Sequence, residues 1–227
     1  MEKEIDFLIE KKNDDIIFTP KEKHLATVIW LPGYKDSAAS YYEDVLDERR
    51  PNPRNVKIYF LTAPKVIPND PQGWSWYKTI SREAFKVEGL EENIKRITDV
   101  IDFEASLLNG DYSKIFLGGF SQGSLMTFLV GLNIEKEKTL GGLICCSGYL
   151  CCDTKIRNDD LIKKMPILVC HGKRDERIIY EYALKSQKEI LGGDFNITYK
   201  VFDIEHELTW DVYKEIKEFL SNCLQLN

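Results

Sequence analysis

The sequence predicts an α/β fold: a mostly parallel central sheet with helices on both faces, entered through an antiparallel N-terminal hairpin. Three observations predict it. Strand-like apolar runs alternate with segments of helical periodicity along the chain. Several runs, among them HLATVIWL (24–31), VKIYFLT (56–62) and PILVCH (166–171), are apolar almost throughout, as in strands covered on both faces. No repeat or low-complexity segment interrupts the alternation over 227 residues, so a single domain spanning 1–227 is expected.

The elements follow in order. Ile5, Phe7 and Ile9 alternate with Asp6 and Glu10, as in a half-buried strand. Residues 11–15 read as a turn and Ile16-Ile17-Phe18 as the returning partner. HLATVIWL is the first fully buried strand. Ser37 is a candidate cap for a helix through AASYYEDVLDERR, which Pro51 and Pro53 end. VKIYFLT is the next strand, and a loop rich in proline (Pro64, Pro68, Pro71) leads to GWSWY (73–77). From Glu88 onward, Leu90, Ile94, Ile97 and Ile101 recur at helical spacing until Asn109-Gly110 stops the helix.

KIFLGG is a strand, and a helix begins after Ser121. GGLICCSGYL (141–150) is a strand and loop, and PILVCH a strand followed by a helix near 178–191. FNITYKVF (195–202) alternates as a strand. Leu208, Val212, Ile216 and Phe219 form the stripe of a last helix.

The totals exclude some functions. With 43% hydrophobic and 30% charged residues the chain has ample core. Its net charge of −6, with acids and bases interspersed, disfavours nucleic-acid binding, which needs a concentrated basic face. MEKEIDFLIE lacks the apolar core of a secretory leader, and no apolar run is long enough for a transmembrane segment. The six cysteines (145, 146, 151, 152, 170 and 223) show no disulfide spacing and are expected to be reduced thiols of a cytoplasmic protein. No metal site is expected of the two CC pairs, because adjacent strand residues point to opposite faces.

The chemistry concentrates at GGFSQGS (118–124). A strand that reverses directly into a helix needs a cramped turn whose apex residue is strained and projects its side chain. Small residues are required two positions to either side, which accounts for Gly119 and Gly123 around Ser121. The following helix aims its N-terminal amides at the same point, so the turn yields an exposed hydroxyl in a site that favours negative charge.

A serine hydroxyl needs a base, and the base an orienting acid. His24 opens a buried strand and reads as a structural histidine. His171 ends a strand and is a rival, because strand C-termini border the site of an open α/β sheet. His206, before the last helix, fits the chain order serine, acid, histidine and is the chosen base. Asp175, past the strand ending at Cys170, is the chosen acid. Asp153 is the runner-up, and Asp203 lies too close in sequence to His206. The oxyanion donors expected are the backbone amides of Gln122 and of Tyr34 in the PGYKD loop (32–36).

With these parts assembled, the chain resembles the acyl-protein thioesterase / phospholipase–carboxylesterase family of α/β hydrolases over nearly its whole length. The resemblance rests on GGFSQGS, the loop at Pro32-Gly33, the Trp76-Tyr77 segment, PILVCHGKRDERI and the histidine before the last helix. It implies an α/β-hydrolase fold and a Ser121-Asp175-His206 triad. It also implies hydrolysis of carboxylic esters and long-chain thioesters without a cofactor, and Trp76 as an acyl-contact residue. S-acylated protein or lysophospholipid would be the partner. Two positions depart from the pattern: Pro32-Gly33 stands where His-Gly is usual, and Ser124 replaces a glycine. The alternatives left open are a non-catalytic ligand-binding protein on the same fold and a lysophospholipase-type lipid hydrolase.

Overall fold

The computed structural model describes residues 6–47, 49–67, 70–81, 86–151 and 155–226. Its centre is an eight-stranded sheet. The strands are β1 (Phe7–Lys12), β2 (Asp15–Pro20), β3 (Ala26–Leu31), β4 (Val56–Phe60), β7 (Ile115–Phe120), β8 (Gly142–Cys146), β9 (Ile167–Gly172) and β10 (Ile197–Phe202). A separate two-stranded sheet, β5 (Lys78–Ser81) and β6 (Lys86–Glu88), stands apart from it. The helices are α1 (Tyr42–Leu46), α2 (Glu91–Ser106), α3 (Gln122–Gly131), α4 (Asp160–Lys164), α5 (Tyr180–Leu191) and α6 (Trp210–Cys223).

The order across the main sheet is β1-β2-β4-β3-β7-β8-β9-β10. The β1–β2 and β2–β4 pairings are antiparallel, and every later neighbour pair is parallel. This is the expected hairpin leading into a parallel sheet. Asn13, at φ 55°, turns the hairpin. Because β3 and β7 to β10 run the same way, the loops leaving their C-terminal ends gather along one edge.

The period of two along each buried strand builds two core layers. In β3, Ile29 and Leu31 face one layer and Val28 and Trp30 the other. The first layer takes Ile97, Ile101 and Ala105 of α2, most of α3, and Ala183 of α5. The second takes Val45 of α1 with Val212, Ile216 and Leu220 of α6. Ile97 and Ile101 have no exposed surface, and burying each stabilises the fold by roughly 1.5–3 kcal/mol. Cys145 and Cys146 also divide between the layers. The helix α2 ends where Asn109 and Gly110 take positive φ and the Gly110 amide donates to the Ala105 carbonyl at 2.9 Å.

Two local expectations are corrected. The segment after Ser37 begins as a 3-10 turn (Ala38–Tyr41), and α1 ends at Leu46 rather than running on to the prolines. Ser37 makes no side-chain cap. The Ala38 amide instead donates to Thr62 Oγ1 at 2.9 Å, so the cap comes from beyond β4. Ile5, Pro68, Cys152 and Asp153 lie outside the described residues.

Candidate active site

The site lies at the C-terminal edge of the parallel strands. Ser121 follows β7 directly and precedes α3, with φ 54° and ψ −114°, a strained conformation for a residue with a side chain. Its amide donates to the Cys146 carbonyl at 2.9 Å, anchoring the turn to β8. The glycines are explained by space. A Cβ on Gly119 would fall 2.5 Å from the Gly123 backbone, and one on Gly123 would fall 1.9 Å from the Leu31 carbonyl oxygen. The helix thus enters in direct contact with β3, and that closeness forces the serine outward.

His206 and Asp175 come from the loops after β10 and β9. The Ser121 hydroxyl donates to His206 Nε2 at 2.9 Å, and His206 Nδ1 donates to Asp175 Oδ2 at 2.7 Å. Phe120 packs beside the imidazole, with ring centroids 4.7 Å apart. The Asp175 side chain is sealed from solvent. Its Oδ1 accepts from the amides of Arg177 and Ile178 at 2.9 and 2.8 Å. Burial pushes this carboxyl up, but the neighbouring His171 and His206 imidazoles and the Ile178 amide outweigh burial. They hold it well below the usual carboxylate range. An ionised Asp175 can only accept, so Nδ1 carries the proton and Nε2 is left bare for the serine.

The other candidates are accounted for. His171 is buried, donates through Nε2 to the Ile178 carbonyl at 2.8 Å and lies 3.4 Å from Asp175 Oδ2. It supports the loop that carries Asp175. His24 bonds Thr27 Oγ1 at 2.8 Å at the opposite, N-terminal end of β3. Asp203 is exposed and paired with Arg174 at 3.1 Å. The runner-up Asp153 lies outside the described residues.

The loop after β3 rests on Ser121: a Cβ on Gly33 would meet Phe120 Cδ1 at 3.3 Å and Ser121 Cβ at 3.4 Å. Among the described residues, neither the Tyr34 amide nor the Gln122 amide has a hydrogen-bond acceptor. Both residues line the same cleft as Ser121 and His206, a groove of about 1170 Å³. Val66, Ile178, Ile179 and Tyr182 add apolar walls to it.

Trp76 borders that cleft but has no exposed side-chain surface. Its indole N–H donates to the Pro32 carbonyl at 2.8 Å. The ring is packed beneath the loop, where its indole holds the Pro32 carbonyl. The Gln122 side chain was not singled out from the sequence. Its Oε1 accepts from the Trp76 amide and its Nε2 donates to the Tyr77 carbonyl, each at 3.0 Å. As the residue following Ser121, it offered only its backbone amide as a signal in the sequence.

Residues 12–224 match the model of the phospholipase/carboxylesterase family. The chain belongs to this family. Membership makes it an α/β hydrolase acting on esters or thioesters, as the resemblance of its sequence implies. Among curated relatives of the family, acyl-protein thioesterase 1 homolog 1 of Dictyostelium discoideum is 31% identical, covering 88% of this chain and 92% of the relative. Acyl-protein thioesterase 1 of Schizosaccharomyces pombe is 27% identical over 80% and 83%. In fold, the crystal structure of Zea mays acyl-protein thioesterase 2 superposes with a TM-score of 0.71 at 22% identity, covering 92% of this chain and 98% of that one. The carboxylesterase of Bacillus cereus gives 0.71 at 13% identity, over 92% and 93%. No helix among the described residues is long and apolar enough to cross a membrane.

Proposed function

We propose that this family member is a serine acyl hydrolase in which Ser121, His206 and Asp175 form the catalytic triad. The observation that carries the reading is the unbroken contact chain from Ser121 Oγ through His206 to Asp175. Ser121 Oγ attacks the acyl carbonyl carbon while its proton passes to His206 Nε2. Asp175 fixes the imidazole tautomer and stabilises the imidazolium. The Tyr34 and Gln122 amides hold the tetrahedral oxyanion. His206 then protonates the leaving alcohol or thiol, the carbonyl re-forms, and water repeats the sequence on the acyl-enzyme. Losing one such oxyanion donor typically costs on the order of 100-fold or more in turnover.

The substrate we infer is a long-chain acyl thioester or ester, carried on a protein or on a lysophospholipid. The apolar walls of the cleft support this, as do relatives named acyl-protein thioesterases. A cytoplasmic setting suits the five free cysteines among the described residues. The test is a kinetic profile over acyl length for matched thioesters and oxyesters, with Ser121→Ala as the blank. Turnover rising with chain length and abolished in the blank is expected. Full activity in Ser121→Ala would overturn the assignment.

A further inference from the structure

We propose that the Gln122 side chain and the Trp76 indole form a brace that fixes the distance between the two oxyanion donors, making both residues positioning residues for the reaction. The inference rests on the reading of Ser121 as nucleophile. The two donors belong to different segments: one amide opens α3, the other lies in the loop after β3. Nothing covalent near the site sets their separation.

The brace links them in two steps. Gln122 Oε1 accepts from the Trp76 amide and Gln122 Nε2 donates to the Tyr77 carbonyl, each at 3.0 Å. The side chain following the nucleophile is therefore hydrogen-bonded at both ends to residues 76 and 77. Trp76 Nε1 then donates to the Pro32 carbonyl at 2.8 Å. Lys35, just past the candidate donor Tyr34, sends its own amide to the Trp74 carbonyl at 2.9 Å. The oxyanion loop is thus tied to the 73–77 segment on both sides of Gly33 and Tyr34.

The brace is itself anchored. Asn93 of α2 donates to the Trp76 carbonyl at 2.7 Å, and the Ser75 hydroxyl donates to the Tyr77 carbonyl at 2.8 Å. Trp76 has no exposed surface and Gln122 is buried, so water does not compete for these bonds. Proline at 32 suits the arrangement: it offers the carbonyl that the indole uses and no N–H of its own, and its ring restricts the loop further. Rigid placement matters here because oxyanion stabilisation acts only at the geometry of the transition state, and a misplacement of about 1 Å can cost roughly 100-fold.

Two substitutions separate the side chains from the donors. Trp76→Phe keeps an aromatic ring in the buried site but removes the indole N–H; Gln122→Ala removes the side chain and leaves the backbone amide at position 122 in place. Each is expected to lower kcat on a p-nitrophenyl ester by about 10- to 100-fold while KM changes little. The deciding readout is an alkyl trifluoromethyl ketone. Ser121 Oγ adds to its carbonyl carbon, the serine proton passes to His206, and the carbonyl oxygen becomes an oxyanion, so its affinity reports the donors. Its inhibition constant should rise in step with the loss of kcat, while the matching carboxylic acid product binds as before.

Unchanged kcat and ketone affinity in the folded variants would overturn the proposal. So would equal weakening of the ketone and the acid, which marks general damage to the cleft. Should Trp76→Phe not fold, Gln122→Glu carries the same test, since it keeps an acceptor for the Trp76 amide but loses the donor to Tyr77. Full activity in Ser121→Ala would instead defeat the underlying reading, an outcome distinct from either of these.

Discussion

His206 Nε2 lies 2.9 Å from Ser121 Oγ although 85 positions separate the two residues in the chain. Neither residue is brought there by local structure. Ser121 follows β7 and His206 follows β10, and the parallel strands between them deliver both loops to one edge. The same edge receives Asp175 from β9, 2.7 Å from His206 Nδ1.

The contact predicts different losses for different leaving groups. His206→Ala should slow acylation by oxyesters and thioesters alike, because serine deprotonation is common to both. Expulsion of the leaving group differs: a thiol has a pKa of only about 8.5 and departs as thiolate with less proton assistance than an alkoxide needs. Turnover of oxyesters should therefore fall further than that of thioesters of the same acyl chain. Steady-state kinetics on matched pairs measures the ratio, and equal losses would contradict the assigned role.

Asp175 predicts both a rate and a pH dependence. Asp175→Asn should lower kcat by roughly 10⁴-fold, since an amide no longer enforces the Nδ1–H tautomer. Its carboxyl is held below the ordinary range in the folded protein. A depressed folded pKa contributes stability that is fully present above the unfolded pKa of about 3.9 and is lost as pH falls through the folded value. The urea-midpoint difference between the native protein and Asp175→Asn should therefore be flat above about pH 5 and shrink in acid. A difference that grew on acidification would reverse the sign.

Much of this was legible in the sequence because it is carried by periodicity and order. Buried parallel strands read as apolar runs, and α2 announced itself through Leu90, Ile94, Ile97 and Ile101. The glycines around Ser121 and the order of serine, acid and histidine were enough to nominate the three converging side chains. What was not legible depends on distant partners. The strands β5 and β6 are mostly exposed and carry no apolar alternation. The cap on Ala38 comes from Thr62, which no local pattern links to it. Nothing in the aromatic character of Trp76 foretold that its indole N–H would donate to the Pro32 carbonyl.

The turn around Ser121 predicts a sharp contrast between two glycines. A methyl group on Gly123 would sit 1.9 Å from the Leu31 carbonyl oxygen, whereas one on Gly193 meets nothing within 4 Å. Gly123→Ala must push α3 away from β3, at a cost of about 3 kcal/mol or more. It should also lose reactivity toward a fluorophosphonate, because Ser121 moves with the helix. Gly193→Ala should stay within about 0.5 kcal/mol and label normally. Urea denaturation with quantitative labelling checks both, and equal behaviour of the two variants would contradict the steric account.

The last prediction concerns a charge pair far from the reaction. Glu104 of α2 has no exposed surface; its Oε1 accepts from Lys57 Nζ at 2.7 Å and its Oε2 from the Thr27 hydroxyl at 3.0 Å. Thr27 Oγ1 in turn accepts from His24 Nε2 at 2.8 Å. A buried ion pair contributes little net stability, because desolvating both charges offsets their attraction, but removing one partner strands the other. Lys57→Met should therefore destabilise by roughly 3–5 kcal/mol, while adding Glu104→Leu should recover most of the loss. Burial and then the Lys57 charge hold the His24 imidazole below its ordinary value, so His24 should titrate at higher pH in Lys57→Met, as followed by NMR. Catalytic parameters of the folded variants should stay close to native, because the cluster sits at the end of β3 opposite Gly33. A double variant as unstable as Lys57→Met alone would show that packing around the lysine stem, rather than the stranded carboxylate, carries the cost.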